Sequence, residues 1–364
     1  MDRSQYLMIG GFLGAGKTTA ILKLARLLAA RGRRVGLITN DQSVGLVDSV
    51  VLGHNGEFPV EEITGGCFCC RFNSLLEASE RLSEATRPDV FIAEPVGSCT
   101  DLVAAVSFPL RKIYGDSYRV APLSVLVDPV RVERVLGLAD GNSFSSKVLY
   151  VYGKQLEEAE VIVINKCDLL DAARQDRLEA ALRAAYPKAE VVRISARNET
   201  GLKQWLERMT AVEMAAETAP EVDYQIYAEG EALLGWLNAV IAIRALHEID
   251  GNELLKDVAA RVRAALGGIE IAHLKMTLMP DEEGNDLGVL NLVRNDGVAE
   301  LSHSLKAPIA AGELLLNLRA EGDPEVLRRC VLDSLAACGC EAEVKHLEHF
   351  RPGKPEPTYR MAHR

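Results

Sequence analysis

The chain has 364 residues, 48% of them hydrophobic and 26% charged, with a formal net charge of −11. That length exceeds what a single core usually fills, about 250 to 300 residues, so two domains are expected. The acidic balance argues against a general binder of nucleic acid or anionic membrane, and no uninterrupted run of about 18 apolar residues is available to span a bilayer.

Tyr6 to Ile9 is a short apolar run suited to a buried strand, and Thr19 to Ala30 carries Ile21, Leu22, Leu24, Ala25, Leu27 and Leu28 at helical spacing. Between them, Gly11-Phe12-Leu13-Gly14-Ala15-Gly16-Lys17-Thr18 fits the phosphate-binding pattern G-x-x-x-x-G-K-[ST]. Backbone N–H groups wrap a polyphosphate only where side chains leave room, and a helix N-terminus adds favourable potential. Gly11, Gly14, Ala15 and Gly16 are therefore expected around the phosphates, with Lys17 at the β- and γ-phosphates, Thr18 on Mg²⁺ and Thr19 at the α-phosphate. The loop alone does not choose between ATP and GTP, or between kinase, motor and switch. It begins too near the first residue to follow a cleaved signal, so a cytoplasmic location is expected.

Arg34 to Thr39 reads as a second strand and runs into Asn40-Asp41-Gln42-Ser43-Val44-Gly45. In a P-loop protein this is the first switch, where Asp41 is a candidate for Mg²⁺, directly or through water; the alternative is a solvated loop acid. Val60 to Thr64 is a further extended piece, ending at Gly65-Gly66-Cys67-Phe68-Cys69-Cys70, with helix from about Asn73 to Thr86. Three sulfurs within four residues can converge on a soft ion such as Zn²⁺ or Cu(I). They cannot complete a tetrahedron alone, which leaves a fourth position for a switch acid, a histidine, water or a client. Buried packing thiols and a redox pair are the alternatives.

Asp89 to Ala93 is a compact strand followed by Glu94-Pro95-Val96-Gly97. A carboxylate at the C-terminal end of such a strand faces the ligand crevice, so Glu94 is expected to hold Mg²⁺ water or position the attacking water, and the Gly97 amide to sense the γ-phosphate. Cys99 and Cys167 are read as packing residues, and Asp128, after the strand Pro122 to Val127, as a helix cap. Helical patterns cover Val130 to Leu138 and Lys147 to Glu158.

The strand Glu160 to Ile164 delivers Asn165-Lys166-Cys167-Asp168. The Asp168 carboxylate can accept from both N1–H and the exocyclic amine of guanine, an arrangement adenine does not offer, so this motif selects GTP. Asn165 is expected near the other edge of the base, the Lys166 stem over the ring, and Ser195-Ala196, after Val191 to Ile194, as a last guanine contact.

GGFLGAGKTT, GGCFCC, AEPVG and NKCD, in that order, resemble the CobW-type GTPases, a metallochaperone family among the P-loop NTPases. The resemblance covers about Gln5 to Met209 and extends in class to the nickel-insertion GTPases of urease and hydrogenase maturation. It implies that Cys67, Cys69 and Cys70 are metal-carrying thiols and that nucleotide state controls transfer of the metal, most often zinc, with cobalt or iron in some branches, to a client metalloenzyme or metal-dependent protein. A homodimer is compatible with it. Two departures stand out: Asn-Asp-Gln replaces a glutamate-bearing switch segment, and the seven histidines are scattered rather than clustered.

Residues 1–210 are thus expected to form a P-loop GTPase domain of α/β class with a mostly parallel sheet, and 211–222 an Ala- and Glu-rich linker. Residues 223–350 are expected as a smaller α+β domain of split-βαβ type. Its strands are placed near Ala239 to Ala245, Glu270 to Met279, Leu287 to Val293, Leu314 to Arg319 and Glu343 to Glu348, with helices near Glu253 to Leu266 and Pro324 to Ala337. Cys338, Cys340, His346 and His349 tempt a second metal site, but strand alternation argues against a common orientation. The proline-bearing tail, residues 351–364, can dock a client, cover the linker or simply pack.

A different class of function, an activation factor that uses GTP to remodel a cofactor- or metal-dependent enzyme with structural or redox-active cysteines, fits the same motifs. A small-molecule kinase shares the phosphate loop, but no acceptor motif accompanies it.

Overall fold

The computed structural model describes residues 3–40, 47, 51, 56–282 and 286–363. They divide into two compact units, one of Met1–Val44, Gly56–Ala228 and Lys354–Arg364, the other of Gly45–Asn55 and Glu229–Gly353. The tail Lys354–Arg364 therefore groups with the first unit.

The first unit is built on strands β1 (Ser4–Gly11), β2 (Val35–Asn40), β3 (Val60–Ile63), β4 (Val90–Glu94), β5 (Tyr118–Val120), β6 (Ser124–Val127), β7 (Val161–Ile164) and β8 (Glu190–Arg193). Their order is β3-β2-β4-β1-β6-β7-β8, every pairing is parallel, and β5 pairs beside β6 on β1. Strands buried on both faces need continuous apolar runs, which explains why Tyr6 to Ile9 and Val161 to Ile164 lack alternation. The helices are α1 (Lys17–Ala30), α2 (Phe72–Thr86), α3 (Phe108–Tyr114), α4 (Pro129–Val135), α5 (Ser146–Glu157), α6 (Ala172–Ala185), α7 (Leu202–Ala211) and α8 (Tyr224–Leu233), the last running on into the second unit. Helix α3 follows a π-helical turn, Val103–Ser107, whose five residues are all buried. That buried segment carries no periodicity, which is why the sequence pattern does not announce it. Strand order reverses at β1, with β4, β2 and β3 to one side and β6, β7 and β8 to the other, so the crevice beyond its carboxyl end is the expected ligand position.

The second unit is a six-stranded antiparallel sheet of β9 (Leu234–Ile249), β10 (Ile271–Pro280), β11 (Gly288–Leu292), β12 (Glu300–His303), β13 (Ile309–Glu321) and β14 (Glu341–Phe350), ordered β12-β11-β10-β13-β9-β14. Helices α9 (Gly251–Leu266) and α10 (Pro324–Ala336) join β9 to β10 and β13 to β14. Since β13 lies between β9 and β10, the two strand-helix-strand units are interleaved as a split βαβ, with β11 and β12 extending one edge. Leu255, Val258 and Val262 of α9 and Leu327 and Val331 of α10 share a core with Leu274, Met276, Leu314, Leu316 and Leu318. Asp250 and Asp323 cap the two helices by accepting first-turn N–H bonds. Strand β9 runs well beyond Ala239 to Ala245 because Leu234 to Leu237 are buried without alternation. No helix among the described residues is long and apolar enough to cross a membrane.

Candidate functional site

The phosphate loop closes the turn from β1 to α1 with Gly11, Gly14 and Gly16 all at positive φ. Gly16 is indispensable on steric grounds too, because a β-carbon there would lie 2.5 Å from the Asn165 side-chain nitrogen. Lys17 is buried and its Nζ donates to the Gly11 carbonyl at 2.9 Å, folding the side chain back over the loop. Thr18 Oγ1 donates to Glu94 Oε1 at 3.0 Å, and Lys17 Nζ lies 3.9 Å from the same oxygen. A hydroxyl and a carboxylate held together at the mouth of a phosphate loop are the hard oxygen donors Mg²⁺ takes, so the residues fit that ion. Thr19 is exposed on the first turn of α1. Asp41 lies outside the described residues.

Gly97 follows Glu94 and abuts the phosphate loop. A β-carbon at this position would stand 2.7 Å from Leu13 Cδ2 and 3.1 Å from Leu13 N. Only glycine permits that approach.

On the other side of β1, Asn165, Lys166 and Asp168 follow β7. The buried Asn165 amide donates to Ala15 O at 2.9 Å and accepts from Ala196 N at 3.1 Å, so both of its ends tie loops together. Lys166, with φ of 55°, donates to Gly14 O at 2.8 Å and to Asp128 Oδ2 at 3.0 Å. Asp128 also caps α4 by accepting from Arg131 N. Asp168 sits exposed in a short 3-10 turn, Cys167–Leu169, and Ser195 Oγ accepts from Asn198 N. Cys167 is buried, as a packing residue would be.

The cysteine loop follows β3. Cys70 N and Arg71 N both donate to Cys67 O, and this tight turn brings the three sulfurs together. Cys67 Sγ stands 2.7 Å from Cys69 Sγ and 3.2 Å from Cys70 Sγ, with Cys69 and Cys70 3.7 Å apart. Cys99, read from the sequence as packing, belongs with them: its sulfur is 3.9 Å from Cys69 Sγ, and Cys67, Cys69 and Cys99 lie within 4.8 Å of one another, all buried. No local pattern signals this, because Cys99 arrives on a separate loop, after β4. Contact with the Cys67 thiol, then with Cys70 and Cys99, together with burial, holds the Cys69 thiol well above its ordinary range. The Cys67 contact also raises Cys70, to about 11. Such thiols are protonated near neutrality and must shed protons to bind a soft cation.

The cluster's other neighbours are also distant in sequence. Gln155 of α5 donates to both Gly97 O and Cys99 O, at 2.9 and 2.8 Å. The tail crosses the loop: Glu356 N donates to Cys70 Sγ, Thr358 donates to Cys69 O and Cys70 O, and Tyr359 packs edge-on against Phe72. Arg360 pairs with buried Asp101 at 2.8 Å, and Ala362 O accepts from Ala219 N of the linker. Among the described residues no other group of three or more His, Cys, Asp or Glu side chains converges as a metal site would require. Cys338 and Cys340 do approach to 3.3 Å, but His349 turns to Glu325 instead.

Comparison with known proteins supplies the context. The profile described as CobW/HypB/UreG, nucleotide-binding domain, matches residues 5–193. A zinc chaperone CobW from Sinorhizobium sp is 34% identical over 184 residues, covering 46% of this chain and 51% of that protein. The zinc-regulated GTPase metalloprotein activator 1 of Dictyostelium discoideum is 26% identical over 221 residues, covering 51% and 44%. The chain thus spans about half the length of these curated relatives. Among solved structures, the Zn(II)-bound YjiA GTPase from E. coli is similar over 92% of this chain and 99% of that one, at 15% identity and a TM-score of 0.37.

Proposed function

The chain belongs to the CobW/HypB/UreG family of nucleotide-binding proteins, and from that premise we propose that it hydrolyses GTP and carries a transition-metal ion, zinc first, on the Cys67 loop for transfer to a metal-dependent client protein. The observation that carries this reading is the convergence of the Cys67, Cys69 and Cys70 sulfurs beyond the carboxyl end of the same parallel sheet that bears the phosphate loop. Zinc is the cargo named for the relatives in Sinorhizobium and Escherichia coli.

On the nucleotide side, loop amides and Lys17 stabilise charge on the transferring phosphoryl group, while Thr18 and Glu94 would hold Mg²⁺, which neutralises phosphate charge when bound. Asp168 is exposed and accepts from the guanine edge, and Lys166, pinned by Asp128 and Gly14 O, keeps the guanine loop in register with the phosphate loop. On the thiol side, raised proton affinities argue against a reactive redox sensor, which needs an exposed thiolate. They suit a site that exchanges protons for a soft ion.

The test pairs two substitutions. Asp168→Ala is expected to reduce the preference for GTP over ATP in hydrolysis by at least about 100-fold. Replacing Cys67, Cys69 and Cys70 together with Ala should abolish stoichiometric zinc binding and leave GTP hydrolysis in place. Equal use of ATP by the unaltered chain, or full zinc binding by the triple variant, would contradict the reading.

A further inference from the structure

We propose that Cys99 is a fourth thiolate ligand of the carried ion and that it links the phosphate loop directly to the thiol site. This rests on the reading that the Cys67 loop carries a soft metal. Three observations support it independently of family membership.

The first is geometric. Zn–S bonds of about 2.3 Å in a tetrahedron require sulfurs about 3.8 Å apart. Four of the six edges stand at 2.7, 3.2, 3.7 and 3.9 Å, for Cys67–Cys69, Cys67–Cys70, Cys69–Cys70 and Cys69–Cys99, and Cys67, Cys69 and Cys99 lie within 4.8 Å of one another. Binding an ion there asks the Cys67–Cys69 and Cys67–Cys70 edges to open by side-chain rotation. The Cys67 loop contributes three sulfurs from one turn of chain, and Cys99 contributes from a different strand end, as the closing of a tetrahedron requires.

The second is chemical. Cys67, Cys69 and Cys99 are all buried, so an ion held there is shielded from water, and an all-sulfur donor set favours zinc or a comparably thiophilic ion over Mg²⁺. Four thiolates around a divalent ion give a tightly held, net negative centre, and its release is easiest if one sulfur can be withdrawn.

The third is mechanical. Cys99 lies two residues beyond Gly97, whose backbone abuts Leu13 of the phosphate loop. Gln155 binds the carbonyls of both Gly97 and Cys99, so the segment moves as a piece. Beyond it, Thr100 N donates to Tyr227 Oη, and Asp101, at φ of 66°, is gripped by Tyr224 and Arg360. A shift of Gly97 on gain or loss of a γ-phosphate is thus delivered to the Cys99 sulfur, while the anchors after it hold the far end. Cys67, Cys69 and Cys70 sit on another loop and are not displaced with it.

The experiment uses the reduced full chain and Co²⁺ as a spectroscopic probe, in GDP and in a non-hydrolysable GTP analogue. The thiolate-to-cobalt charge-transfer band grows with the number of bound sulfurs. Cys99→Ala is expected to lose about a quarter of that intensity, to weaken binding at least about tenfold, a loss seen even for residues that merely support a ligand, and to erase the difference between nucleotide states. Cys330→Ala, on α10 of the second unit, should change none of these. An unchanged band in Cys99→Ala would overturn the assignment of Cys99 alone. No band in the unaltered chain would overturn the metal reading as well. Should the variant fold poorly, zinc-edge absorption fine structure of the unaltered protein decides: four sulfurs at about 2.3 Å support the proposal, and three with one light atom overturn it.

Discussion

The proposed nucleotide side and the thiol side of the first unit both leave the carboxyl ends of the strands of one parallel sheet, yet they are held together differently. Around the phosphate loop, the residues that define the motifs also do the fastening: Asn165 binds Ala15 O, Lys166 binds Gly14 O, and Thr18 binds Glu94. Around the cysteines, the fastening comes from elsewhere in the chain, from Cys99, Gln155, Tyr224 and the tail at Glu356 to Arg360. The first arrangement is a self-contained binding site; the second is assembled from several loops, each of which can be moved.

The sharpest way to separate the two sides is Lys17→Ala. Hydrolysis is expected to fall by at least about 10³-fold if, as proposed, the lysine stabilises transition-state charge. Zinc affinity of the nucleotide-free protein should stay within about twofold, measured by chelator competition. A parallel collapse of zinc binding would show that the sides are not separable.

Next in size is the tail. Removing residues 354–364, or changing Arg360→Ala in the full chain, takes away the N–H donor to Cys70 or one of the two side chains that hold buried Asp101. Transfer of zinc to a chelator should quicken about tenfold, the equivalent of roughly 1.4 kcal/mol in the barrier, with GTP hydrolysis within twofold. An unchanged transfer rate in both variants would demote the tail to packing.

The difference in fastening also explains what could be read from the sequence. Motif residues within a few positions of one another carry their chemistry in their spacing, so the phosphate loop, Asn165 to Asp168 and the Cys67 loop are visible, as is the split-βαβ pattern of alternating strands and helices. Cys99 is not, because its meaning depends on β3 and β4 both delivering loops at the carboxyl end of the sheet, with β2 between them. The tail is similar: prolines and polar residues carry no periodicity, and its docking, through backbone donors of Glu356 and Thr358 and the side chains of Tyr359 and Arg360, depends on partners far away in the chain. Asp128 was half legible, since the cap follows from Asp-Pro before a helix, but its bond to Lys166 depends on β6 and β7 being neighbours.

The last effect, read in stability rather than in function, is a pH dependence beneath the thiol loop. Burial raises the Glu158 carboxyl from 4.5 to about 8, where it accepts from Thr100 Oγ1 and Val103 N. Burial also raises neighbouring Asp101. Between pH 4.5 and 8 the unfolded chain ionises Glu158 while the folded chain keeps its proton. Stability from this group is therefore greatest below pH 4.5 and falls as pH rises through that window. Glu158→Gln should flatten the decline, by at most about 1.4 kcal/mol per pH unit, seen in urea midpoints at several pH values. A decline just as steep in the variant would place its origin in other groups.

The central claim, that one fold holds nucleotide and metal and makes each sensitive to the other, is tested most directly by titrating the reduced, metal-free protein with Zn²⁺ against a competing chelator, in GDP and in a non-hydrolysable GTP analogue. The account predicts tight binding that differs between the two states by at least about fivefold, the lower end of typical coupling between sites. Equal zinc affinity in both states would contradict it.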